Sequence, residues 1–423
     1  MQYQGLLGVA AVIALCVAMS DNRRRIDWRL VVWGMVLQTT FAALIILTEP
    51  GRNLFATADA AINGLLVFSK SGSDLLLRSF VTGEVEPSLQ NLAFQGLSTV
   101  IFFSALLSAL YHLGVMQQVV RAIAWIMQRT MRTSGAETLS VTGDIFVGQT
   151  EAPLLIKPFL ESMTRSELNT VMVGGFATIA GSVIGLYVGW LRETVPNIAG
   201  HLMAASVMSA PAAILVSKII VPETLTPLTS GTLPISTERT TGNLVEAIGD
   251  GATDGMKLLL NIAAMLLAFV ALVSMVNAGL RWTGDLLASW GTPTSMTSLF
   301  SLEAVLGKLF QPLAWTLGVT WAEAETLGAL LGKKLVLTEL VAYQELGSYA
   351  PGEKFSERSR IIASYALCGF ANFASIGVQL GGTGAMAPGR KKDLAALAMR
   401  AMIGGALTTC MTAAVAGLFI PLH

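Results

Sequence analysis

Two glutamates, each directly after a threonine, lie within otherwise apolar stretches of this chain. Thr150 precedes Glu151, and Thr338 precedes Glu339. An ionised carboxylate inside a bilayer costs several kcal/mol unless a cavity, a partner or a cation compensates it, so such residues are functional candidates. The pairs can accept hydrogen bonds or attract cations. Their similar settings indicate a duplicated half-site.

The composition predicts a membrane protein with many spans. Of the 423 residues, 53% are apolar and 13% are charged, and the mean hydropathy is +0.64. The charged share is about half that of an ordinary soluble domain. The formal net charge is zero, which gives no reason to expect a nucleic acid partner. Cys16, Cys368 and Cys410 lie far apart in apolar segments without metal or redox spacing, so we interpret them as packing residues.

Hydropathy predicts eight spanning helices and two amphipathic surface helices. Arg23, Arg24 and Arg25 follow the first span, so the positive-inside rule places the N-terminus outside, and eight spans bring the C-terminus there too. The amphipathic segments are 52–84 at the outer surface and 116–132 at the inner one. The predicted spans lie near residues 5–20, 30–48, 92–114, 167–190, 201–221, 256–280, 359–386 and 393–420.

Two further apolar segments, 138–163 and 326–350, are broken near their centres by the residues around Glu151 and Glu339. Each is predicted to be a re-entrant helical hairpin that enters the membrane and returns to its own side. Broken backbone at that depth is tolerated only where it lines a protein-enclosed cavity. The hairpins therefore predict a cavity. Lys333 and Lys334 are expected to form a solvated base of the second hairpin.

The hairpin belongs to a larger unit that occurs twice. Each hairpin is followed by a charged linker and then by a helix interrupted near Thr178 in the first unit and near Asn372 in the second. The first hairpin is predicted to open to the inside and the second to the outside. Two units of opposite orientation are typical of secondary transporters, whose site lies between the halves near the midplane.

Three segments closely resemble signature regions of the concentrative nucleoside transporters. They are VGQTEAPLL at 147–155, LVLTELVAY at 335–343 and GFANFASIG at 369–377. The resemblance extends from about residue 90 to the C-terminus, and residues 1–90 fit the family's shorter bacterial layout. It implies an all-α homotrimer in the bacterial inner membrane, and a cation gradient that drives the import of nucleosides such as uridine and adenosine by elevator-like movement of a transport domain. It divides the chain into scaffold helices (1–114), a first transport repeat (115–221), a loop and long scaffold helix (222–295) and a second transport repeat (296–423).

The resemblance also implies a substrate site that fits the chemistry of a nucleoside. An amide, a hydroxyl and a carboxylate can address the edge of a base, while a second carboxylate can accept hydrogen bonds from vicinal ribose hydroxyls. Apolar groups would pack against the base, with Leu259 or a neighbour from Leu258 to Leu260 among them. Asn372 and Ser375 are expected on one helical face beside Glu339. The implied substrate residues are Gln149, Thr150, Glu151, Val183, Leu259, Glu339, Phe370, Asn372 and Ser375.

The coupling cation is implied to bind at Asp144, Val147, Thr178 and Ile179. Many members of the family carry asparagine where this chain has Asp144. A carboxylate is a good ligand for a hard cation such as sodium, and it can also bind a proton. Sodium is the preferred coupling ion and the proton is the alternative. No organic cofactor is expected.

Other functions leave different signatures. A membrane-embedded hydrolase would need a nucleophile elbow, a zinc motif or a Ser/Lys pair, none of which is present. Re-entrant hairpins also occur in channels. A transporter of another polar solute is the nearest alternative, although two acidic residues disfavour an anionic substrate. In a purely structural interpretation, Glu151 pairs with Lys157.

Overall fold

The computed structural model is all-α, as predicted. It describes residues 3–80, 82–86, 89, 94, 98–231, 241–290 and 300–421, apart from the side chains at 98, 265, 266 and 269. No β-strand occurs in these ranges, where only two isolated bridges pair extended residues. Short 3-10 helices cover Arg23–Arg25, Ala152–Ser162 and Pro388–Arg390.

Sixteen α-helices are numbered here along the described ranges. Those of the first part are α1 (Gln4–Ala18), α2 (Trp28–Leu47), α3 (Glu49–Leu77), α4 (Ser98–His112), α5 (Val115–Met131), α6 (Gly135–Gly143), α7 (Arg165–Ala177), α8 (Gly181–Leu191) and α9 (Ile198–Ile220). Those of the second part are α10 (Leu244–Ser289), α11 (Leu302–Thr316), α12 (Trp321–Val336), α13 (Glu339–Ser348), α14 (Glu357–Leu367), α15 (Phe373–Met386) and α16 (Lys391–Phe419).

Several helices are long and apolar enough to cross a bilayer. Within the described ranges there are four by length and composition, and a fifth if the bent pair Thr99–His112 and Val115–Met131, at 77°, is one span. The predicted total of eight spans stays a prediction, and the start of the span predicted at 92–114 falls largely outside the described residues. The four are Trp28–Leu47, Arg165–Leu191, Ile198–Ile220 and Pro388–Phe419.

The long helix α10 has 46 residues and contains the span predicted at 256–280 within one continuous element. The amphipathic helix predicted at 116–132 corresponds to α5. Its buried face carries Met116, Val120 and Ala124, whereas Trp125 is exposed and lies 5.9 Å beneath the guanidinium of Arg129. The helix predicted at 52–84 ends earlier, at Leu77.

The repeated unit is visible in the local structure. The first unit consists of α6, the 3-10 helix Ala152–Ser162, α7 and α8, and the second consists of α12 to α15. In each, the first two elements pack together as a hairpin segment, and the following helix is interrupted as predicted, at 178–180 and at 368–372. Whether the hairpin segments re-enter the membrane stays a prediction, as do the four domain boundaries.

Capping explains why the helices of the two units begin where they do. Ser134 and Glu137 form a capping box at the start of α6, and Thr320 and Glu323 form one at the start of α12. Each box satisfies two backbone amides that a helix otherwise leaves unpaired. The same local chemistry therefore starts both hairpin segments. All three cysteines are buried and free, as predicted for packing residues.

Candidate functional site

A cavity of ≈ 340 Å³ lies between the two hairpin segments, the two helix breaks and α10. This volume is within the range of small-molecule sites. The cavity brings together segments that are more than a hundred residues apart in sequence. Eight of the nine predicted substrate residues line it, namely Gln149, Thr150, Glu151, Val183, Glu339, Phe370, Asn372 and Ser375.

Glu339 is held in the cavity wall by two hydrogen bonds. It is the first residue of α13 and only 2% exposed. Its Oε1 accepts a hydrogen bond of 3.0 Å from the Tyr187 hydroxyl, and its Oε2 accepts one of 3.0 Å from Nδ2 of Asn372. Each carboxylate oxygen can accept a further hydrogen bond. Two donors therefore hold Glu339 in one orientation without using its full capacity.

Asn372 does not share a helical face with Ser375, so that detail of the sequence prediction is wrong. Asn372 has extended backbone and is the N-cap of α15, where its Oδ1 accepts a hydrogen bond of 2.8 Å from the Ser375 backbone amide. An N-cap satisfies an amide that the helix cannot. The cap leaves Nδ2 for Glu339, so the helix break and the carboxylate are connected through one side chain.

Gln149 is held by a residue that the sequence did not single out. The Gln379 amide donates hydrogen bonds of 3.1 Å to Oε1 of Gln149 and 3.0 Å to the carbonyl of Met172. Gln379 lies one turn beyond Ser375 on α15, a helical spacing that could have pointed to it. This contact fixes the first hairpin segment to the second unit and leaves Nε2 of Gln149 as a donor.

The side chain of Glu151 is exposed where it faces the cavity, and no ion pair joins it to Lys157. The structural pairing considered from the sequence is therefore absent. Glu151 also borders a second cavity, of ≈ 260 Å³, that reaches Val147, Tyr111 and Asp254. The carboxylate thus lies between two adjoining spaces.

One face of α10 completes the wall of the first cavity. Leu258 lines it and Leu259 does not, which corrects the sequence assignment. Successive residues of a helix point about 100° apart, so a face of the helix returns every three or four positions and can include two adjacent residues at its edges. The remaining α10 residues on this face are Asp254, Lys257, Asn261 and Ile262, and the sequence reasoning did not select them.

Asp144 has the most unusual surroundings of the predicted ion-site residues. It is completely buried, and neither carboxylate oxygen has a hydrogen-bond partner in the described part of the chain. A methyl group added at Gly174 would lie 2.9 Å from Oδ2, so Asp144 packs against the last turn of α7. Thr178 donates to the carbonyl of Gly174 over 3.0 Å. A buried carboxylate without a hydrogen-bond partner fits a hard cation that binds oxygen ligands.

Lys334 is not part of a solvated hairpin base, so that expectation is wrong. It is 1% exposed, and its Nζ donates hydrogen bonds of 3.0 Å to the carbonyl of Ala366 and 2.8 Å to Oγ1 of Thr409. Its neighbour Lys333 behaves as expected for a residue nearer the surface and pairs with Glu345 at 2.5 Å. Adjacent residues of a helix point about 100° apart, so Lys334 faces the protein interior while Lys333 lies nearer the surface.

Long apolar helices and a polar cavity between two broken units define a membrane transport protein. Three family models match the chain. They are the N-terminal part of the Na+ dependent nucleoside transporters over residues 7–80, a nucleoside recognition domain over 93–193, and the C-terminal part of the same transporters over 201–417. The chain belongs to the Na+ dependent nucleoside transporter family, whose members are transporters rather than enzymes.

Curated relatives agree with this family. Sodium/nucleoside cotransporter 1 of Mus musculus is 41% identical over 435 residues, which cover 99% of this chain and 64% of that protein. This chain therefore spans less than two thirds of the mouse relative. An uncharacterised transporter of Haemophilus influenzae is 39% identical, with 99% of this chain and 97% of that protein covered.

Solved structures of CNTnw share the fold. The structure in an inward-facing substrate-bound state has a TM-score of 0.86 and 38% identity, and covers 98% of this chain and 97% of that one. A variant in an outward-facing state has a TM-score of 0.88 and 38% identity, and covers 99% of this chain and 98% of that one. The all-α fold class is confirmed by these similarities.

Proposed function

We propose that this protein imports nucleosides across the bacterial inner membrane by symport with sodium. The observation that carries the proposal is the environment of Glu339. Its carboxylate is buried in the cavity wall, and each of its oxygens accepts one hydrogen bond from the protein. Tyr187 and Asn372 orient the carboxylate, and its remaining acceptor positions suit the two vicinal hydroxyls of a ribose. Relatives named as sodium/nucleoside cotransporters support the substrate class.

The opposite side of the cavity suits a base. Gln149, Thr150 and Glu151 offer a donor amide, a hydroxyl and a carboxylate to its polar edge. Phe370 offers an aromatic ring for its face. Val183 and Leu258 line the cavity as further apolar contacts. In this proposal the first hairpin segment reads the base, and the second reads the sugar together with the start of α15.

Sodium would be held by the Asp144 carboxylate with oxygen atoms of Val147, Thr178 and Ile179. When bound, the cation supplies the positive charge that the buried carboxylate lacks. Val147 lies two residues before Gln149 on the same turn of chain, so ordering the ion site also orders the base-reading residues. Protonation of Asp144 would relieve the same unpaired charge, which keeps proton coupling as the alternative.

We further propose that the two units move together as a transport domain against a scaffold, within a homotrimer. The direct hydrogen bond between Gln379 and Gln149 links the units and would help them to move as one body. CNTnw, which shares the fold, has been solved in inward-facing and outward-facing states. Both termini would lie outside. We expect chemical cross-linking of the protein in membranes to yield trimers.

Uptake of radiolabelled uridine and adenosine into proteoliposomes tests the proposal, with sodium and proton gradients imposed separately. We expect saturable accumulation that depends on an inward sodium gradient. Accumulation driven by a proton gradient alone would establish the alternative ion. Absence of nucleoside uptake under either gradient, together with uptake of another polar solute, would overturn the substrate assignment. Conductance without saturation would indicate a channel.

A further inference from the structure

The two units carry side chains of opposite charge at the ends of their first hairpin helices. In the first unit, Asp144 is the C-cap of α6 and packs against Gly174 in the last turn of α7. In the second unit, Lys334 lies in the last turn of α12 and binds the carbonyl of Ala366 in the last turn of α14. Each side chain therefore leaves the end of the first hairpin helix and reaches the end of the helix that precedes the break.

The electrostatics of these places favour a positive charge in both units. The C-terminal end of a helix carries roughly half a negative elementary charge, and its last carbonyls lack helical partners. The approach of Gly174 to Asp144 connects the ends of α6 and α7 in the first unit, and the hydrogen bond from Lys334 to Ala366 connects the ends of α12 and α14 in the second. Buried helix ends of this kind need a cation or a donor to compensate them.

The first unit provides no such charge from its own side chains. Asp144 adds a further negative charge, and neither of its oxygens has a partner among the described residues. The second unit provides the charge through Lys334, which is buried and donates to Ala366 and Thr409. Glu339 attracts Lys334 electrostatically, although no carboxylate of the described chain is close enough to pair with it.

We propose that Lys334 is a tethered cation that occupies the second unit's counterpart of the coupling-ion site. The chain then needs one mobile cation for each nucleoside, bound in the first unit. Replacing Lys334 by a small residue would leave the Ala366 carbonyl and the Thr409 hydroxyl around an empty space that a monovalent cation can fill. The inference rests on the proposed sodium symport for its consequence in transport, but its binding consequence can be measured without transport.

Two substitutions separate charge from packing. Lys334→Ser opens space and leaves oxygen ligands, whereas Lys334→Met fills the space with an apolar side chain of similar length and leaves no room for a cation. Lys218→Met is the matched control, because Lys218 is also a buried lysine but pairs with Glu137 and Glu223 away from the cavity. It should lose stability without any change in its response to sodium.

The primary measurement is the melting midpoint of detergent-purified protein in increasing sodium chloride, with choline chloride keeping the ionic strength constant. A ligand that binds only the folded state raises stability with its concentration. We expect a steeper rise with sodium for Lys334→Ser than for wild type, because it binds a second ion. The melting midpoint of Lys334→Met should rise with sodium as that of wild type does, but it should be lower than that of wild type at every sodium concentration. A sodium response of Lys334→Ser equal to that of wild type, or its failure to fold at every sodium concentration, would overturn the proposal.

Uptake in proteoliposomes provides the second measurement. The Hill coefficient for sodium should rise from near one in wild type towards two in Lys334→Ser. Uptake by Lys334→Met should fall by about 10-fold or more at every sodium concentration, because the two helix ends and Glu339 lose the positive charge that compensates them. Wild-type uptake by Lys334→Met would refute the tethered-cation role. A wild-type protein that transports no nucleoside would refute the proposed function instead, while the melting measurement would still test Lys334.

Discussion

The side-chain amide of Asn372 donates a hydrogen bond of 3.0 Å to Oε2 of Glu339 and caps α15 with its oxygen. This one residue therefore connects the break in the second unit's helix with the tip of its hairpin segment. The capping bond fixes the amide, and the fixed amide orients the carboxylate. The polar wall of the cavity is thus built by local helix chemistry as well as by distant contacts.

Replacing Glu339 with Gln should raise the apparent KM for nucleoside about 10- to 100-fold, because hydrogen bonds to a charged acceptor contribute more than neutral ones. Uptake at a saturating sodium concentration measures the effect. Glu345→Gln is the control, since Glu345 contacts Lys333 and Tyr349 rather than the cavity. Wild-type nucleoside affinity in the Glu339 variant would refute the ribose role.

Tyr187→Phe removes one hydroxyl and keeps the ring that stacks on Tyr343 with centroids 4.4 Å apart. Loss of the hydrogen bond to Glu339 should weaken nucleoside binding about 3- to 10-fold, the range expected for one hydrogen bond. Binding of labelled nucleoside to purified protein reports the change. Tyr365→Phe, whose hydroxyl contacts His201, should bind as wild type does. Equal binding by all three proteins would argue against an orienting role for Tyr187.

Asp144→Asn should alter ion dependence before it alters nucleoside affinity. The change removes the negative charge that attracts the cation, so the sodium concentration for half-maximal uptake should rise by about 10-fold. Nucleoside affinity at saturating sodium should stay close to that of wild type. Asp393→Asn, which disturbs only the pair with Arg390, serves as the control. An unchanged sodium dependence would show that the charge of Asp144 does not contribute to sodium binding.

Lys218→Met should destabilise the fold by about 3–5 kcal/mol, because removing one partner of a buried ion pair leaves charge uncompensated. Lys218 lies 2.8 Å from Glu137 and 3.4 Å from Glu223. The melting midpoint in detergent should fall, and the double variant with Glu137→Gln should recover part of the loss. If the double variant loses at least as much stability as the two single variants lose together, the Lys218–Glu137 pair does not explain the destabilisation.

Acidification should weaken the start of α12. Burial alone would raise the pKa of Glu323, but hydrogen bonds from Ser356, Thr320 and Ser359 outweigh it and hold the pKa below its ordinary value of 4.5. A depressed carboxyl pKa gives stability that is present above the unfolded pKa and lost as the pH falls through the folded one.

Wild type should therefore be more stable than Glu323→Gln at neutral pH. The difference between their melting midpoints should shrink as the pH falls below about 4.5, because wild type then loses these hydrogen bonds. Melting midpoints of both proteins over this pH range provide the measurement. Glu325→Gln is the control, because Glu325 is half exposed and pairs with Lys308 at the surface. A difference in melting midpoint that stays constant with pH would contradict the stabilising role of the ionised Glu323 carboxylate.

The sequence by itself determined the helical fold class and the two interrupted units, and its family resemblance pointed to most of the residues that line the cavity. Low charge and long apolar segments specify membrane helices, and the polar breaks around Glu151, Glu339 and Asn372 stand out because such residues are costly in an apolar chain. Capping boxes at Ser134 and Thr320 are also local patterns, readable from residues three positions apart.

Only the tertiary structure decided which side chains support the site. Tyr187 reaches Glu339 across 152 positions, and Gln379 reaches Gln149 across 230. Lys334, expected at a solvated surface, is buried because α14 and α16 supply its acceptors Ala366 and Thr409. These contacts depend on how distant helices pack, and the spacing of residues along the chain does not encode that packing directly.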